Sequence, residues 1–448
     1  MRPILAAALT TVLPMIVGQR WVAGSAVMRW SLGGVVGIVL LALGGLMGGL
    51  AGSPPGGAAA ALVIGWVYGP RARWAPMGGA APPGLTRAHV AILGLGLALM
   101  AMSLERPVPS WDAWFTWSLK SKALAATHSF SAPVFLSPAY NWSSQDYPTL
   151  LPSWQALAYI ASGDLSISWP LQFQQAWMWT IGALALVSLT GVRRPWGFLL
   201  PLAWLVSPQV VWQSMQGYAD IPMALPLLLG TIVLATDPRD RRAHVVGGVL
   251  LAGAALTKSE GAPLVAIVLL CVLTRRNVSR SLALSPAIVL LAMLPWLLFT
   301  QRHGLTNHMI TAPVVKSLLT GAHLPQLPEV LSTMGHAMFS PSRWGLLVPG
   351  CLIVALITRA VDVRLALAAF LQLAMFAAVY HAAGPNQGIS LHDFMRSNVD
   401  RILMAPLGTL ALAVALGSRR ARSVFAATVE KSPPVRTGTR TVIDVPRS

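Results

Sequence analysis

The sequence predicts an all-α, polytopic transmembrane protein with about 11 to 13 spans. Hydrophobic residues make up 55% of its 448 residues, charged residues only 10%, and the mean hydropathy is +0.64. Water-soluble globular domains carry considerably more charge than this. Apolar runs of roughly 15 to 20 residues, enough for a helix to cross a hydrocarbon core about 30 Å thick, recur along the whole chain.

The apolar runs define the candidate spans, and several are short enough to be tilted, broken or re-entrant helices. They lie near residues 3–18, 30–50, 57–69, 88–104, 172–191, 197–211, 218–236, 244–257, 261–274, 281–300, 344–358, 363–382 and 402–417. The first run lacks a clear small-residue cleavage site. It is therefore expected to remain as a span and not to be removed as a signal peptide.

Arginine clusters between the spans set the expected orientation. They comprise Arg71, Arg73, Arg87, Arg193, Arg194, Arg239, Arg241, Arg242, Arg275, Arg276, Arg280, Arg359, Arg364, Arg419, Arg420 and Arg422. By the positive-inside rule, these segments face the cytoplasm. The formal net charge of +18 is then largely a consequence of topology, with some attraction to anionic lipid, and requires no nucleic-acid partner.

This orientation divides the chain into three regions. Residues 1–87 hold N-terminal transmembrane helices and a cytoplasmic loop, and residues 88–417 form the main membrane domain with outer loops at 105–171 and 301–343. Residues 418–448 are basic and rich in Ser, Thr and Pro, so they are expected to be a disordered cytoplasmic tail. The first outer (periplasmic) loop is expected to be ordered, because prolines divide it into turns and aromatic residues can pack between them.

The first outer loop contains the most informative motif of the chain. Residues 111–114 read WDAW, which places the carboxylate of Asp112 between two indoles where a span meets water. Lys120 and Lys122 follow on a predicted interfacial helix. Their side chains are expected to reach towards lipid headgroups, either as simple anchors or as phosphate ligands.

Further acidic and aromatic residues lie downstream in the same loop. The segment QDYP at residues 145–148 carries Asp146 and Tyr147. Asp146 either positions an acceptor or caps a turn. Rings such as Tyr147 and Tyr218 either stack on a sugar or anchor the protein at the membrane interface.

Two short outer turns carry additional charges. In GYADIP at residues 217–222, Asp220 begins a span, where it either caps the helix or belongs to a rigid polar site. In TKSEG at residues 257–261, Lys258 and Glu260 either form a local ion pair or contribute to the same site.

The segment before the last span carries two arginines. If residues 391–401 are helical, Arg396 and Asp400 share a face at spacing i, i+4 and can pair. Arg401 then points elsewhere and remains available. Guanidinium groups suit phosphate because their fork matches two oxygen atoms at once.

Missing motifs disfavour other classes of protein. The chain has no Walker loop, no glycine fingerprint for dinucleotides and no HExxH or CxxC metal signature, so an ATP-driven pump or a soluble nucleotide-sugar enzyme is disfavoured. Cys271 and Cys351 both fall in predicted spans and are expected to be inert thiols.

The order of these motifs resembles the GT-C superfamily of integral-membrane glycosyltransferases, in particular bacterial protein mannosyltransferases and aminoarabinose transferases. The resemblance covers about residues 88–417 and rests on WDAW, QDYP, GYADIP, TKSEG and the terminal arginine turn. It implies transfer of a sugar from a polyprenyl-phosphate carrier, with Asp112 as the base. Many relatives carry two adjacent acids at this place, whereas Asp112 is followed by Ala113, which leaves the use of a divalent metal ion unsupported.

The expected function is therefore a glycosyltransferase in the inner (cytoplasmic) membrane, with its active site on the outer face. Its partners would be a polyprenyl-phosphate sugar and a glycolipid, polysaccharide or protein acceptor, without a cofactor. Such transfer needs a base for the acceptor proton and cations for the departing phosphate. Asp112 supplies the first, and the candidates for the second are Lys120, Lys122, Lys258, Arg396 and Arg401.

Two alternatives remain at this point. A transporter or flippase of lipid-linked sugars would show paired inverted repeats and charges near mid-membrane. A glycan polymerase or ligase uses similar substrates and an arginine-rich outer face. The first-loop aspartate favours the transferase over this alternative.

Overall fold

The computed structural model describes residues 2–71, 73–75, 86–105, 110–191, 195–273, 283–305, 312–383 and 390–430. It is 82% helical, and no strand occurs within these ranges, so the predicted all-α class is confirmed. One isolated bridge joins Val22 to Trp74.

The described residues of the first half of the chain form twelve α-helices. These are α1 (Arg2–Ala7), α2 (Leu13–Gly18), α3 (Ala26–Leu50), α4 (Pro54–Tyr68), α5 (Arg87–Glu105), α6 (Leu119–Thr127), α7 (Pro133–Leu136), α8 (Leu150–Ser162), α9 (Trp169–Thr190), α10 (Pro195–Leu205), α11 (Pro208–Gln213) and α12 (Asp220–Thr236). Helices of π type occupy Ala8–Val12 and Ala113–Ser118, and 3₁₀ turns occupy Gln19–Trp21 and Pro138–Ser143.

The second half forms ten more α-helices. These are α13 (Arg241–Ala255), α14 (Gly261–Leu273), α15 (Leu284–Arg302), α16 (Ala312–Thr320), α17 (Leu327–Met338), α18 (Pro341–Trp344), α19 (Leu347–Thr358), α20 (Val363–Ala383), α21 (Leu391–Ile402) and α22 (Met404–Glu430). A 3₁₀ turn at Leu324–Gln326 precedes α17.

Within the described residues, every predicted apolar run overlaps a helix. Some of these helices are long and apolar enough to cross a membrane. Among the described residues, five helices are long and apolar enough: Ile4–Trp21, Ala26–Leu50, Arg87–Leu104, Leu284–Arg302 and Val363–Ala383. The pair α21–α22, bent by 41°, gives a sixth if it is one broken span. The helices α12, α14 and α19 are apolar but shorter. A multi-pass membrane protein is supported, with fewer assignable spans than the 11 to 13 expected, because several runs are short or contain polar residues.

The helix α12 is the centre of the bundle. All residues from Asp220 to Ala235 are buried, and α12 packs against α9, α13, α14 and α22. A helix that is apolar on every side lies either in a protein core or in a membrane, and here the surrounding helices enclose it. The position of α12 therefore fixes its first residue, Asp220, inside the protein.

Glycines allow α3 to lie against its neighbours at very short range. A Cβ atom on Gly37 would lie 1.8 Å from the carbonyl oxygen of Pro14 in α2, and one on Gly33 would lie 2.7 Å from that of Gly18. Gly44 and Gly48 meet α4 and the turn before it in the same way. Small residues four positions apart are a common means of close helix packing in membranes.

Polar contacts lie at both ends of α12. After its C-terminus, the indole Nε1 of Trp74 donates to Asp237 at 2.9 Å, and nearby Arg242 donates to the carbonyl of Arg73 at 3.3 Å. Both arginines belong to clusters predicted to be cytoplasmic. Asp220 lies at the opposite end of this 17-residue helix, which is about 25 Å long.

The predicted disordered tail is wrong for its first part. The helix α22 continues to Glu430, so residues 418–430 are helical, and residues 431–448 lie outside the described residues. The stretch from 418 to 430 contains neither Gly nor Pro and is rich in Ala and Arg, which favour helix.

Candidate active site

Charged side chains from four separated segments meet at the N-terminal end of α12. Arg401 donates through Nη1 to Asp112 Oδ2 at 2.6 Å and through Nε to Asp220 Oδ2 at 3.1 Å. Lys258 Nζ lies 3.2 Å from Asp220 Oδ1 and 3.1 Å from Glu260 Oε1. We call Asp112, Arg401, Asp220, Lys258 and Glu260 the ion-pair network.

The segment that carries Asp112 is fixed by its neighbours on both sides. Ser110 donates to Gln216 Oε1 at 2.6 Å, which ties the start of the segment to the turn before α12. The rings of Trp111 and Phe115 lie 3.8 Å apart, and Phe115 contacts Trp142 at 5.4 Å. Aromatic packing therefore orders the chain around Asp112.

A buried glutamine holds the turn before α12. The Oε1 atom of Gln175 accepts a hydrogen bond from the amide of Gly217 at 3.0 Å, and its Nε2 donates to the carbonyl of Tyr218. Gly217 has a φ of +79°, a conformation that glycine adopts without strain. The guanidinium of Arg401 lies over the Tyr218 ring, 4.2 Å from its centroid.

Asp220 is not a helix cap, so that alternative is wrong. Ala219 occupies the N-cap position of α12 without a side-chain cap, and both carboxylate oxygens of Asp220 are taken by Arg401 and Lys258. A fully buried carboxylate needs such partners, because leaving it unpaired in a low-dielectric interior is very costly. By contrast, the local pairing of Lys258 with Glu260 is confirmed.

Exposure changes steeply across the ion-pair network. The side chain of Asp220 is 1% exposed, that of Arg401 13% and that of Asp112 36%. Burial opposes the charge of Lys258, but the carboxylates of Asp220 and Glu260 outweigh this and raise its pKa above the ordinary value. The network is therefore buried at Asp220 and Lys258, and Asp112 is its most exposed member.

Asp146 and Tyr147 form a second layer beside the network. The hydroxyl of Ser259 donates to Asp146 Oδ2 at 3.4 Å, which connects this layer to the turn between Lys258 and Glu260. The Tyr147 ring packs on Trp117 with centroids 5.9 Å apart. Burial, together with the charges of Glu260 and Asp146, raises the pKa of Tyr147 well above its ordinary value, so the hydroxyl stays protonated.

Lys120 does not reach towards lipid headgroups, and that prediction is wrong. Its side chain is fully buried, and its Nζ donates to the carbonyl of Ser144 at 2.5 Å. Burial lowers its pKa to about 7, although Asp146 partly opposes this shift. The helix α6 packs against α8, so Lys120 points into protein and fastens the segment that carries Asp146.

Lys122 stands apart from the ion-pair network. Its ammonium lies 5.4 Å from the ring centroid of Trp114 and 5.7 Å from that of Tyr159. Burial lowers the pKa of Lys122, and the charge of Asp164 opposes this shift. Lys122 is thus held by aromatic faces at the edge of the first loop.

The predicted pairing on α21 is also wrong. Asp400 pairs with Arg343 of α18 and not with Arg396, while Arg396 lines a separate cavity with Arg343. Arg401 is not free, since Asp112 and Asp220 both bind it. Spacing along one helix could not reveal these partners, because each lies on another segment of the chain.

Sequence reasoning missed Gln175 and Arg343. The sequence did carry a signal for the first: residues 172–175 read QFQQ, and Gln172, Gln174 and Gln175 are all buried inside an otherwise apolar helix. Buried amides in a membrane helix usually serve a partner. No local pattern marks Arg343, which lies 57 residues from Asp400.

The network has three carboxylates and two cations, so its formal charge is −1 at neutral pH. It can accept a proton at Asp112 and contact an anion through Arg401. Within the described ranges, no group of three or more His, Cys, Asp or Glu side chains is arranged to hold a metal ion.

Comparison of the chain with protein-family models, curated proteins and solved structures found no match. The function therefore has to be inferred from the site.

Proposed function

We propose that the protein is a glycosyltransferase that moves a sugar from a polyprenyl-phosphate-linked donor to an acceptor at the outer face of the cytoplasmic membrane. The observation that carries this proposal is the meeting of Asp112 with Arg401 and the buried Asp220 at one end of the bundle. These groups come from WDAW, the terminal arginine turn and GYADIP, three of the motifs on which the resemblance to GT-C enzymes rests.

Asp112 is the proposed general base. Arg401 binds Oδ2 of this carboxylate and so fixes its orientation, and Oδ1 is the proposed acceptor of the proton. As the acceptor oxygen or nitrogen bonds to the anomeric carbon, its proton passes to Asp112. The bond between that carbon and the phosphate oxygen breaks with inversion, and the polyprenyl phosphate leaves.

Arg401 is the proposed contact for the departing phosphate. It uses Nε and Nη1 for Asp220 and Asp112, so the two N–H groups of Nη2 remain to face a substrate oxygen. Asp220, which is itself fixed by Lys258, holds this guanidinium in place from behind. A preorganised cation in a poorly solvated site stabilises developing negative charge much more strongly than one in water.

The position of the charges favours a transferase over a transporter. Asp220 is the first residue of α12, Lys258 lies between α13 and α14, and Arg401 lies next to the bend between α21 and α22. We propose that these helix ends meet at the membrane surface, whereas a transporter of lipid-linked sugars is expected to place charges near mid-membrane. A glycan polymerase or ligase would use a similar site, and the identity of the acceptor distinguishes it.

The proposal is tested by Asp112→Asn in a strain that lacks the native gene. This change keeps the shape of the side chain but removes its basicity, and general-base catalysis contributes about a hundredfold or more. We expect the glycolipid product to disappear while the membrane level of the protein stays normal.

Asp164→Asn is the matched control. Asp164 lies in the same loop, is exposed, and accepts hydrogen bonds from Ser166 away from the network. Its replacement should leave the glycolipid profile unchanged. A normal profile in the Asp112→Asn strain would remove Asp112 as the base and with it the proposed mechanism.

A further inference from the structure

An open polar cavity lies across α21 from the ion-pair network. It has a volume of about 320 Å³ and is lined by residues of α17, α18 and α21. Arg396 lines this cavity, whereas Arg401 faces the network. The two residues are five positions apart, which turns their side chains about 140° from each other around the helix axis. The helix α21 thus separates two basic sites.

The lining of the cavity offers hydrogen-bond donors, and no carboxylate is among its described residues. Its polar members are Thr333, His336, Ser340, Arg343, His392 and Arg396. Hydroxyl, imidazole and guanidinium groups in this combination suit a tetrahedral oxyanion, which has several acceptor oxygens. The chemistry of the cavity therefore selects an anion, and in particular a phosphate group.

The two arginines of the cavity differ in whether they form an ion pair. Arg343 is held by Asp400, which sets its position on the cavity wall. In the part of the chain that the structure describes, Arg396 forms no ion pair, and the nearby Asp393 accepts from Ser390 and lies beside His392 at the start of α21. The charge of Asp393 acts on Arg396 without an ion pair between them, and the exposed Arg396 side chain can still contact a ligand.

Apolar side chains are exposed on the same stretch of chain that lines the cavity. Phe339, which directly precedes Ser340 of the lining, is 53% exposed, and Leu346, three residues after Arg343, is 77% exposed. A basic cavity bordered by exposed apolar surface is what the headgroup of a lipid meets at a membrane interface.

We propose that this cavity binds the phosphate group of a membrane lipid. The phosphate oxygens face Arg396 and the hydroxyl and imidazole groups, and the lipid tail lies along the exposed apolar side chains beside α17. This site is separate from the proposed transfer reaction, and its occupancy can be measured without turnover.

The test measures equilibrium binding to the purified full-length protein in detergent. The probes are farnesyl phosphate, farnesol and inorganic phosphate, and the variants are Arg396→Gln and Arg302→Gln. Arg302 is the matched control, because it is an exposed arginine at the end of α15 that does not line the cavity. Thermal unfolding verifies that each variant is folded, and Arg396→Lys replaces Arg396→Gln if the latter is not.

We expect farnesyl phosphate to bind at least about tenfold more tightly than farnesol, since a charge-assisted contact is worth that much or more. Arg396→Gln should weaken farnesyl phosphate by about tenfold, and Arg396→Lys by less, while Arg302→Gln should have no effect. Inorganic phosphate should bind more weakly than farnesyl phosphate, because it lacks the tail.

The measurements are made in the wild-type and Arg401→Gln backgrounds, because Arg401→Gln removes the proposed phosphate contact of the transfer site. The loss of farnesyl phosphate affinity caused by Arg396→Gln is expected in both backgrounds, whether or not transfer is lost. Equal affinity with and without Arg396→Gln in the Arg401→Gln background would overturn the site. Equal affinity for inorganic and farnesyl phosphate would overturn the lipid and leave free phosphate as the ligand.

Discussion

Arg401 forms ion pairs with two carboxylates from distant parts of the chain. It lies 289 residues from Asp112 and 181 residues from Asp220, and it binds both. The local sequence predicted a free arginine here, whose removal would change stability little. Because Asp220 is almost completely buried, the structure instead makes Arg401 a stabilising residue as well as a candidate ligand for phosphate.

Replacement of Arg401 by Gln should therefore lower stability. Breaking a buried ion pair typically costs about 3 to 5 kcal/mol, and we expect the lower end because Lys258 remains beside Asp220. Unfolding in detergent measures the loss. Arg396→Gln, an exposed position on the same helix, should change stability by about 0.5 kcal/mol or less.

A double-mutant cycle checks that the effect arises from the pair. Arg401→Gln combined with Asp220→Asn should cost less than the sum of the single changes, since each removes the same interaction. Strict additivity, or a fully stable Arg401→Gln protein, would show that the buried contact contributes nothing.

At the scale of single elements, α3 and the helices of the first outer loop shape the site. The helix α3 packs on α2, α4, α8 and α9, and so supports α8 within the first outer loop. Thirteen residues form α8, and most of them are buried. A loop that looked merely aromatic in sequence is thus a packed helical layer, which explains how Asp112 and Asp146 can be held in fixed positions.

The close contact of α3 with α2 gives an element-scale prediction. In Gly37→Ala, the new Cβ would lie 1.8 Å from the carbonyl oxygen of Pro14, so the helices must separate. We expect less folded protein after detergent extraction, measured by size-exclusion chromatography. Gly94→Ala in α5 is the control, because nothing lies within 4 Å of its added Cβ and alanine favours helix. Equal yields of the two variants would contradict the packing.

On the scale of the whole molecule, arginines predicted to be cytoplasmic and the ion-pair network lie at opposite ends of α12. The ion-pair network lies at one end, and Arg73, Arg242 and Asp237 lie at the other. This arrangement agrees with a protein whose arginine clusters face the cytoplasm. Placing the network on the outer face is a proposal that depends on this orientation.

Cysteine labelling tests the orientation directly. In a background that lacks Cys271 and Cys351, a cysteine at Ser131 should react with an impermeant maleimide on intact cells. A cysteine at Arg241 should react only after the cells are opened. Both positions are exposed in the structure, so a lack of reaction reports sidedness and not burial. Reaction of Arg241→Cys on intact cells with protection of Ser131→Cys would place the network in the cytoplasm.

The sequence by itself determined the features that depend on neighbouring residues. Apolar runs specified the helices, because each helix must bury its backbone and its apolar side chains whatever its partners are. The short spacing from Lys258 to Glu260 specified a local ion pair. The motifs also identified most of the charged residues that the structure brings together.

Only the tertiary structure decided which of these residues are partners. Asp112 meets Arg401, Asp220 has two cations, Asp400 selects Arg343, and Lys120 is buried. Each of these facts depends on how α6, α12 and α21 pack against their neighbours. Helical periodicity indicates the face on which a side chain lies, but the choice of partner depends on helix packing across hundreds of residues, for which a single sequence carries no local signal.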